Sequence, residues 1–148
     1  MPTTNPQIDE LIETFEFLDD WEQRYAYLID IGKNLPPMDE SLKNENTLVR
    51  GCQSRVWLVG KALNPDAQQN GQQKHIQFVA DSDAHIVRGL IGLLQKVYNN
   101  QPATFVAEYD AADLFNTLGL AEHLSPTRRT GLAAMVKRIK TIATEAAA

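Results

Sequence analysis

Two stretches of strand-forming sequence sit mid-chain with helical stripes on either side, and this arrangement limits the fold more than any other feature. From Ser54 to Gly60 β-formers dominate, with Val56, Trp57, Leu58 and Val59 consecutive, as in a strand covered on both faces or nearly so. From His75 to Ala80 the pattern alternates, placing Ile76, Phe78 and Ala80 on one face of a half-buried strand. Between them, Asn64-Pro65-Asp66 signals a turn, and the glutamine-rich run to Gln73 predicts an exposed hairpin loop. A short connection of this kind favours antiparallel pairing. Thr47 to Arg50 predicts a further short strand, which gives a sheet of about three strands.

Everything else with periodicity is helical. Ile8, Leu11, Ile12, Phe15 and Leu18 make one apolar stripe. Asp19 or Asp20 caps a second helix carrying Trp21, Tyr25, Leu28 and Ile29, which ends at Gly32 and Asn34. Leu35-Pro36-Pro37 turns the chain extended, and Met38 to Asn46 reads as a polar loop. Ser82 is placed to cap a central helix with Asp83 in its first turn. That helix has Ile86, Leu90, Ile91, Leu94, Val97 and Tyr98 on its apolar face and stops near Asn99-Asn100. Two short helical pieces are predicted at 103–107 and 112–118, the second closed by Gly119. Ser125-Pro126 starts a last helix that turns Leu132, Met135, Val136, Ile139 and Ile142 inward, and its alanine-rich tail is expected to fray. The expectation is one α+β domain over 1–148, with its core at about 8–140 and a small antiparallel sheet packed by helices.

Composition narrows the function. A chain of 148 residues with 43% hydrophobic and 22% charged residues is an ordinary globular domain. The net charge of −5 argues against non-specific nucleic-acid binding, which normally shows a basic excess. No apolar run reaches the roughly 20 residues that span a bilayer. Met1 to Glu10 lacks the cationic start and apolar centre of a signal peptide, so a cytoplasmic chain is expected.

The chain has one cysteine, Cys52. Alone it forms no internal disulfide, and it cannot build a zinc or iron–sulfur site that typically takes about four ligands. His75, His85 and His123 are too scattered to supply the missing ligands by local spacing. Gly51 before it and Gln53-Ser54 after it place the thiol at a polar edge between loop and strand. Two readings stay open on these residues alone. One is a buried, inert thiol that packs as a small hydrophobe. The other is a reactive thiolate, such as a hydrolase nucleophile with a histidine base.

Arg128 and Arg129 fall in the first turn of the last helix, where unpaired amide dipoles disfavour cations by about 0.3–1 kcal/mol each. They are either surface ion pairs or anion-stabilising groups near a thiolate. Trp21 and Trp57 are expected in the core. Asp81-Ser82-Asp83 reads as a capping cluster rather than a metal site.

Val49-Arg50-Gly51-Cys52-Gln53-Ser54-Arg55-Val56-Trp57-Leu58 closely resembles the cysteine segment of the SufE family, including its CsdE-like branch. Trp21-Glu22-Gln23-Arg24-Tyr25 with Gly32-Lys33-Asn34-Leu35-Pro36 is similar to the family's N-terminal region. Asp81-Ser82-Asp83 leading into Ile86-Val87-Arg88-Gly89-Leu90 resembles its central helix, and His123-Leu124-Ser125-Pro126-Thr127-Arg128 its C-terminal motif. The resemblance implies a fold like SufE and the IscU-type scaffolds. It also implies a sulfur acceptor that takes a persulfide onto Cys52 from a pyridoxal-phosphate cysteine desulfurase, SufS- or CsdA-like, and passes it on toward an iron–sulfur scaffold. Gly51, Gln53 and Ser54 then shape the acceptor loop and Arg128 is the motif arginine, with Arg129 unassigned. The pyridoxal phosphate belongs to the partner, so this chain is expected to need neither cofactor nor metal and to act as activator rather than enzyme. With a single thiolate it would move sulfur but not assemble a cluster. Cys52 is expected at a loop tip tucked against apolar residues, opening when the desulfurase docks.

Overall fold

The computed structural model describes residues 6–18, 20–49, 55–63, 75–109 and 111–147. Two helices come first, α1 (Pro6–Phe17) and α2 (Trp21–Lys33). Asp20 caps α2 by accepting the Gln23 N–H at 2.9 Å, and Asn34 closes its far end. The chain then runs extended through Pro36 and Pro37 into a single 3-10 turn, Glu40–Leu42. Met38 in this loop is buried and not solvated as its polar setting suggested, because an extended stretch between two polar turns can still point one side chain inward.

The sheet has the order β1-β2-β3, with β1 (Val56–Leu63) antiparallel to β2 (His75–Ser82) from Val56↔Ser82 to Leu63↔His75. Even-numbered residues of both strands face the core, and Val56, Leu58, Ile76, Phe78 and Ala80 are all buried there. The outer face carries Trp57, Val59, Gln77, Val79 and Asp81, each half-buried. Thus β1 is covered well on one face and only partly on the other.

The third strand is not the one expected. Residues 47–49 contribute an isolated bridge, Leu48↔Trp57, whereas β3 is Gln101–Pro102, paired with His75 and Ile76. Two residues, one of them proline, leave no periodic signal, and proline is tolerated there because β3 is an edge. Beyond β3 the side chain of Asn99 stands in for a strand. Its Oδ1 accepts the Phe78 N–H at 2.8 Å and its Nδ2 donates to the Phe78 carbonyl at 3.3 Å. That closes an edge that would otherwise offer unpaired backbone.

The central helix α3 (His85–Tyr98) buries Leu90, Ile91, Leu93, Leu94, Val97 and Tyr98. Each fully buried aliphatic side chain contributes roughly 1.5–3 kcal/mol. Along one side it meets α2 at very close range: a Cβ on Gly89 would lie 2.2 Å from the Leu28 carbonyl oxygen. Short helices α4 (Ala103–Glu108), α5 (Ala111–Thr117) and α6 (Leu120–His123) follow, with Gly119 at φ 79 making the turn between the last two. The long helix α7 (Pro126–Ala147) packs on α4 and β1 and buries Leu132, Met135, Ile139 and Ala143. It is helical to Ala147, since Ala143 and Ala146 pack on the core instead of projecting into water. Among the described residues no helix is long and apolar enough to cross a membrane.

Candidate functional site

Gly51, Cys52, Gln53 and Ser54 lie outside the described residues, as do Arg50 and the expected 64–73 hairpin loop. The chain on both sides of the cysteine segment is described, and it is held at several points. Before the segment, the Val49 N–H donates to the Val56 carbonyl at 2.8 Å, and the Leu58 N–H donates to the Thr47 carbonyl at 2.9 Å. Thr47 is fixed in turn through its hydroxyl, which donates to the Leu42 carbonyl at 2.6 Å. From α7, Arg138 Nη2 donates to the Asn46 carbonyl at 2.9 Å.

After the segment, Arg55 is tied to the start of α3. Its N–H donates to the Asp83 carboxylate at 3.2 Å, and the Asp83 N–H donates back to the Arg55 carbonyl at 3.3 Å. This changes the expected capping. Asp83 is taken by the cysteine segment's flank, Ser82 ends β2 with its Oγ accepting the Ala84 N–H at 3.2 Å, and α3 starts at His85 after Ala84.

Beside this bracket lies an ionic cluster on the outer face of the sheet. Lys43 Nζ is 2.9 Å from Asp81 Oδ2 and 3.1 Å from Glu40 Oε1, and it sits over the Trp57 ring at 5.3 Å. Arg88 Nε approaches Asp81 Oδ1 at 3.4 Å. Burial pushes the Asp81 carboxyl up, but the Lys43 hydrogen bond, the Ser82 N–H and the Arg88 charge together hold it below its ordinary value. The Asp81 and Glu40 hydrogen bonds raise Lys43 above its ordinary value. Trp57 is therefore a half-buried platform under a cation, not a core residue.

Trp21 is also half-buried. His123 stacks on it at 3.9 Å and 15°, Arg24 covers it at 5.1 Å, and the Tyr25 hydroxyl donates to the His123 carbonyl. His123 Nδ1 lies 3.1 Å from the Gly119 carbonyl, an acceptor only, so this nitrogen carries the proton. The stack joins α6 to α2, with His123 itself exposed on its outer side. His75 pairs with Leu63 at the end of the sheet away from Val56, roughly 23 Å along β2 from the bracketed segment. His85 is exposed in the first turn of α3.

Arg128 is half-buried, its N–H donating to Ser125 Oγ at 3.2 Å, which makes Ser125 the expected cap. Its Nη1 is buried with no hydrogen-bond partner, and among the described residues no carboxylate pairs with it. Arg129 is exposed. Among the described residues no group of three or more His, Cys, Asp or Glu is placed to hold a metal. The Arg55–Asp83 tie and the Lys43–Asp81–Trp57 cluster were not anticipated. They join residues 14 to 38 positions apart, for which sequence spacing gives no cue.

The chain matches the family described as SufE, Fe-S metabolism associated domain, over residues 9–143. It is 42% identical over 133 residues to an uncharacterised SufE-like protein of Rhizobium meliloti, covering 90% of this chain and 91% of that one. A second uncharacterised SufE-like protein, from Rhizobium etli, is 44% identical over 137 residues, covering 90% and 86%. The fold is similar to the solution structure of a hypothetical protein from Thermus thermophilus, with a TM-score of 0.72 and 23% identity over 97% of this chain and 98% of that one. This chain belongs to the SufE family of domains associated with Fe–S metabolism.

Proposed function

We propose that the protein is a sulfur carrier whose acceptor is the Cys52 thiolate. The observation that carries this reading is the coincidence of family and cysteine: a SufE match over 9–143 in a chain whose one cysteine falls in the segment bracketed by Val49 and Arg55. We read 1–148 as a single SufE-like domain with its core at about 8–140, acting in the cytoplasm. The donor is a persulfide on a SufS- or CsdA-like cysteine desulfurase whose pyridoxal phosphate stays with it, and the receiver is an iron–sulfur scaffold. No cofactor or metal of this chain's own enters the scheme.

The step is thiol–disulfide exchange in form. The Cys52 thiolate attacks the outer sulfur of the donor persulfide, a new S–S bond forms on Cys52, and the donor's inner sulfur leaves as a thiolate. One neutral sulfur atom changes owner, its proton travels with it, and no outside oxidant or reductant is consumed. The product is a reversible cap that a receiving thiol removes in the same way. In this reading Gly51, Gln53 and Ser54 shape the loop, and Arg128 brings a guanidinium that no carboxylate among the described residues neutralises, which favours thiolate and persulfide anions. Pinning Val49 and Arg55 limits the loop's freedom and lowers the entropy lost on docking.

Intact-mass analysis after mixing with desulfurase and free cysteine tests the proposal. The expected result is a gain of one sulfur on the wild-type chain and none on Cys52→Ser. A serine variant that stimulates desulfurase turnover in full would remove covalent acceptance and leave a regulatory module.

A further inference from the structure

A groove of about 740 Å³ runs between α5 and α7, with Arg129 at one end. Its floor is apolar, formed by Phe115, Leu124, Leu132 and Val136, and its rim carries Arg129, Lys137 and Lys140 with one acid, Glu145, at the far end. The α7 residues that line it recur from Arg129 to Glu145 at helical spacing, which is one face of a helix over about 24 Å at 1.5 Å per residue. A trough of that length and openness suits a rod rather than a compact metabolite.

Charge identifies the kind of rod. Helix α7 holds Arg128, Arg129, Lys137, Arg138 and Lys140 against one acid, Glu145, while the rest of the chain has nine cations and eighteen acids. The groove takes three of those cations, Arg129, Lys137 and Lys140, and the one acid, which makes it a basic patch on an acidic protein. Among the described residues no carboxylate pairs with Lys137 or Lys140, so neither charge is spent inside the fold. An apolar floor edged along α7 by Lys137 and Lys140 is complementary to an amphipathic helix with acidic residues beside its apolar stripe, lying in the groove through an i, i+3/i+4, i+7 pattern. An anionic membrane would meet the acidic remainder of the chain on approach.

We propose that the α5–α7 groove is a docking site for an acidic amphipathic helix of about four turns on a partner protein. The proposal does not rest on the sulfur-carrier reading, and its test does not involve sulfur.

The probe is a labelled synthetic helix of about 18 residues with a leucine stripe at i, i+3/i+4, i+7 and glutamates on both flanks, titrated against the full chain by fluorescence anisotropy. Expected is saturable binding that weakens about tenfold or more when lysines replace the glutamates, and likewise when the protein carries Lys137→Glu with Lys140→Glu. Val136→Glu should weaken it too, with some loss of thermal stability because Val136 packs against the core, whereas the two lysine changes lie on the rim and test the charge separately. Equal binding of the two peptides, or undiminished binding to the variants, overturns the proposal. So does preferential binding to phosphatidylserine vesicles that the peptide fails to displace, or a concentration-dependent dimer that Lys137→Glu with Lys140→Glu dissolves. The first outcome assigns the groove to a lipid surface and the second to another copy of this chain.

Discussion

Arg55 and Asp83 hold one another by two hydrogen bonds across a sequence separation of 28 residues, the Arg55 N–H to the Asp83 carboxylate and the Asp83 N–H to the Arg55 carbonyl. The pair joins the exit of the cysteine segment to the entrance of α3. A side chain that would otherwise cap a helix instead fixes the backbone one residue past Ser54. Together with the Val49–Val56 bond, it fixes the described backbone on both sides of the cysteine segment.

Asp83→Ala should therefore loosen the loop without unfolding the protein. Losing one exposed acceptor costs about 1 kcal/mol, or a fall in Tm of roughly 2–4 °C for a chain of this size. Amide exchange at Arg55 should speed up severalfold, and sulfur loading on Cys52 should slow. Unchanged exchange at Arg55 would show that the bond does not restrain the segment in solution.

The Lys43–Asp81 pair sets a pH window. Asp81 titrates lower in the folded protein than when unfolded, so its contribution is complete above the unfolded carboxylate value of about 3.9 and is lost as pH falls through the lower folded value. Lys43 titrates higher when folded, so its contribution is complete below about 10.4 and is lost as pH rises through the higher folded value. Between these limits the pair adds a flat term. Asp81→Asn should lower stability by about 1 kcal/mol at neutral pH, a figure kept small by solvent screening at this half-buried site. The difference from wild type should shrink toward pH 3. Chemical denaturation at pH 3, 5 and 7 measures it, and a difference constant across that range would contradict the charge assignment.

Local pattern made the helices and the long hairpin legible. Asp20, Gly119 and Ser125 act at the ends of helices where the chain pattern puts them, and the alternation of Ile76, Phe78 and Ala80 is the buried face of β2. What stayed hidden depends on residues meeting across the fold. Asp83 looked like a cap because nothing local shows that Arg55 arrives beside it. Trp57 looked like core because its sequence neighbours are apolar, yet Lys43 covers it from a loop that reads as solvated. The extended stretch at Gln101–Pro102 is shorter than any alternation can reveal. Lys137 and Lys140 carry no local signal of a site, because α5 supplies the other wall of the groove.

Gly89 and Gly92 make a matched pair of tests for the α2–α3 contact. A Cβ on Gly89 would stand 2.2 Å from the Leu28 carbonyl oxygen and 2.7 Å from its carbon, which are backbone atoms that cannot move unless the helices separate. On Gly92 it would meet Ile31 Cγ2 at 2.1 Å, the end of a side chain that can turn away. Gly89→Ala should cost about 2–3 kcal/mol, since overpacking exceeds the roughly 1 kcal/mol gained in helix propensity. Gly92→Ala should cost less than half as much. Urea midpoints compare them directly, and equal or inverted penalties would show that the close approach at Gly89 is not rigid.

Arg128 separates stability from transfer. Its Nη1 is buried without a hydrogen-bond partner, so the guanidinium returns little of its desolvation cost to the fold. Arg128→Met keeps the apolar stem against its neighbours and removes the orphaned donors, so the melt should move by no more than about 2–3 °C, in either direction. If the charge serves the sulfur anion, Cys52 should load at least about tenfold more slowly, and its reaction with a small alkylating agent should shift to higher pH as the thiolate loses a favourable charge. Arg128→Lys should restore part of that reactivity, because an ammonium keeps the charge but lacks the planar fork. A variant that loads sulfur at the wild-type rate would return Arg128 to an incidental place in the helix, and one that fails to fold would make it structural.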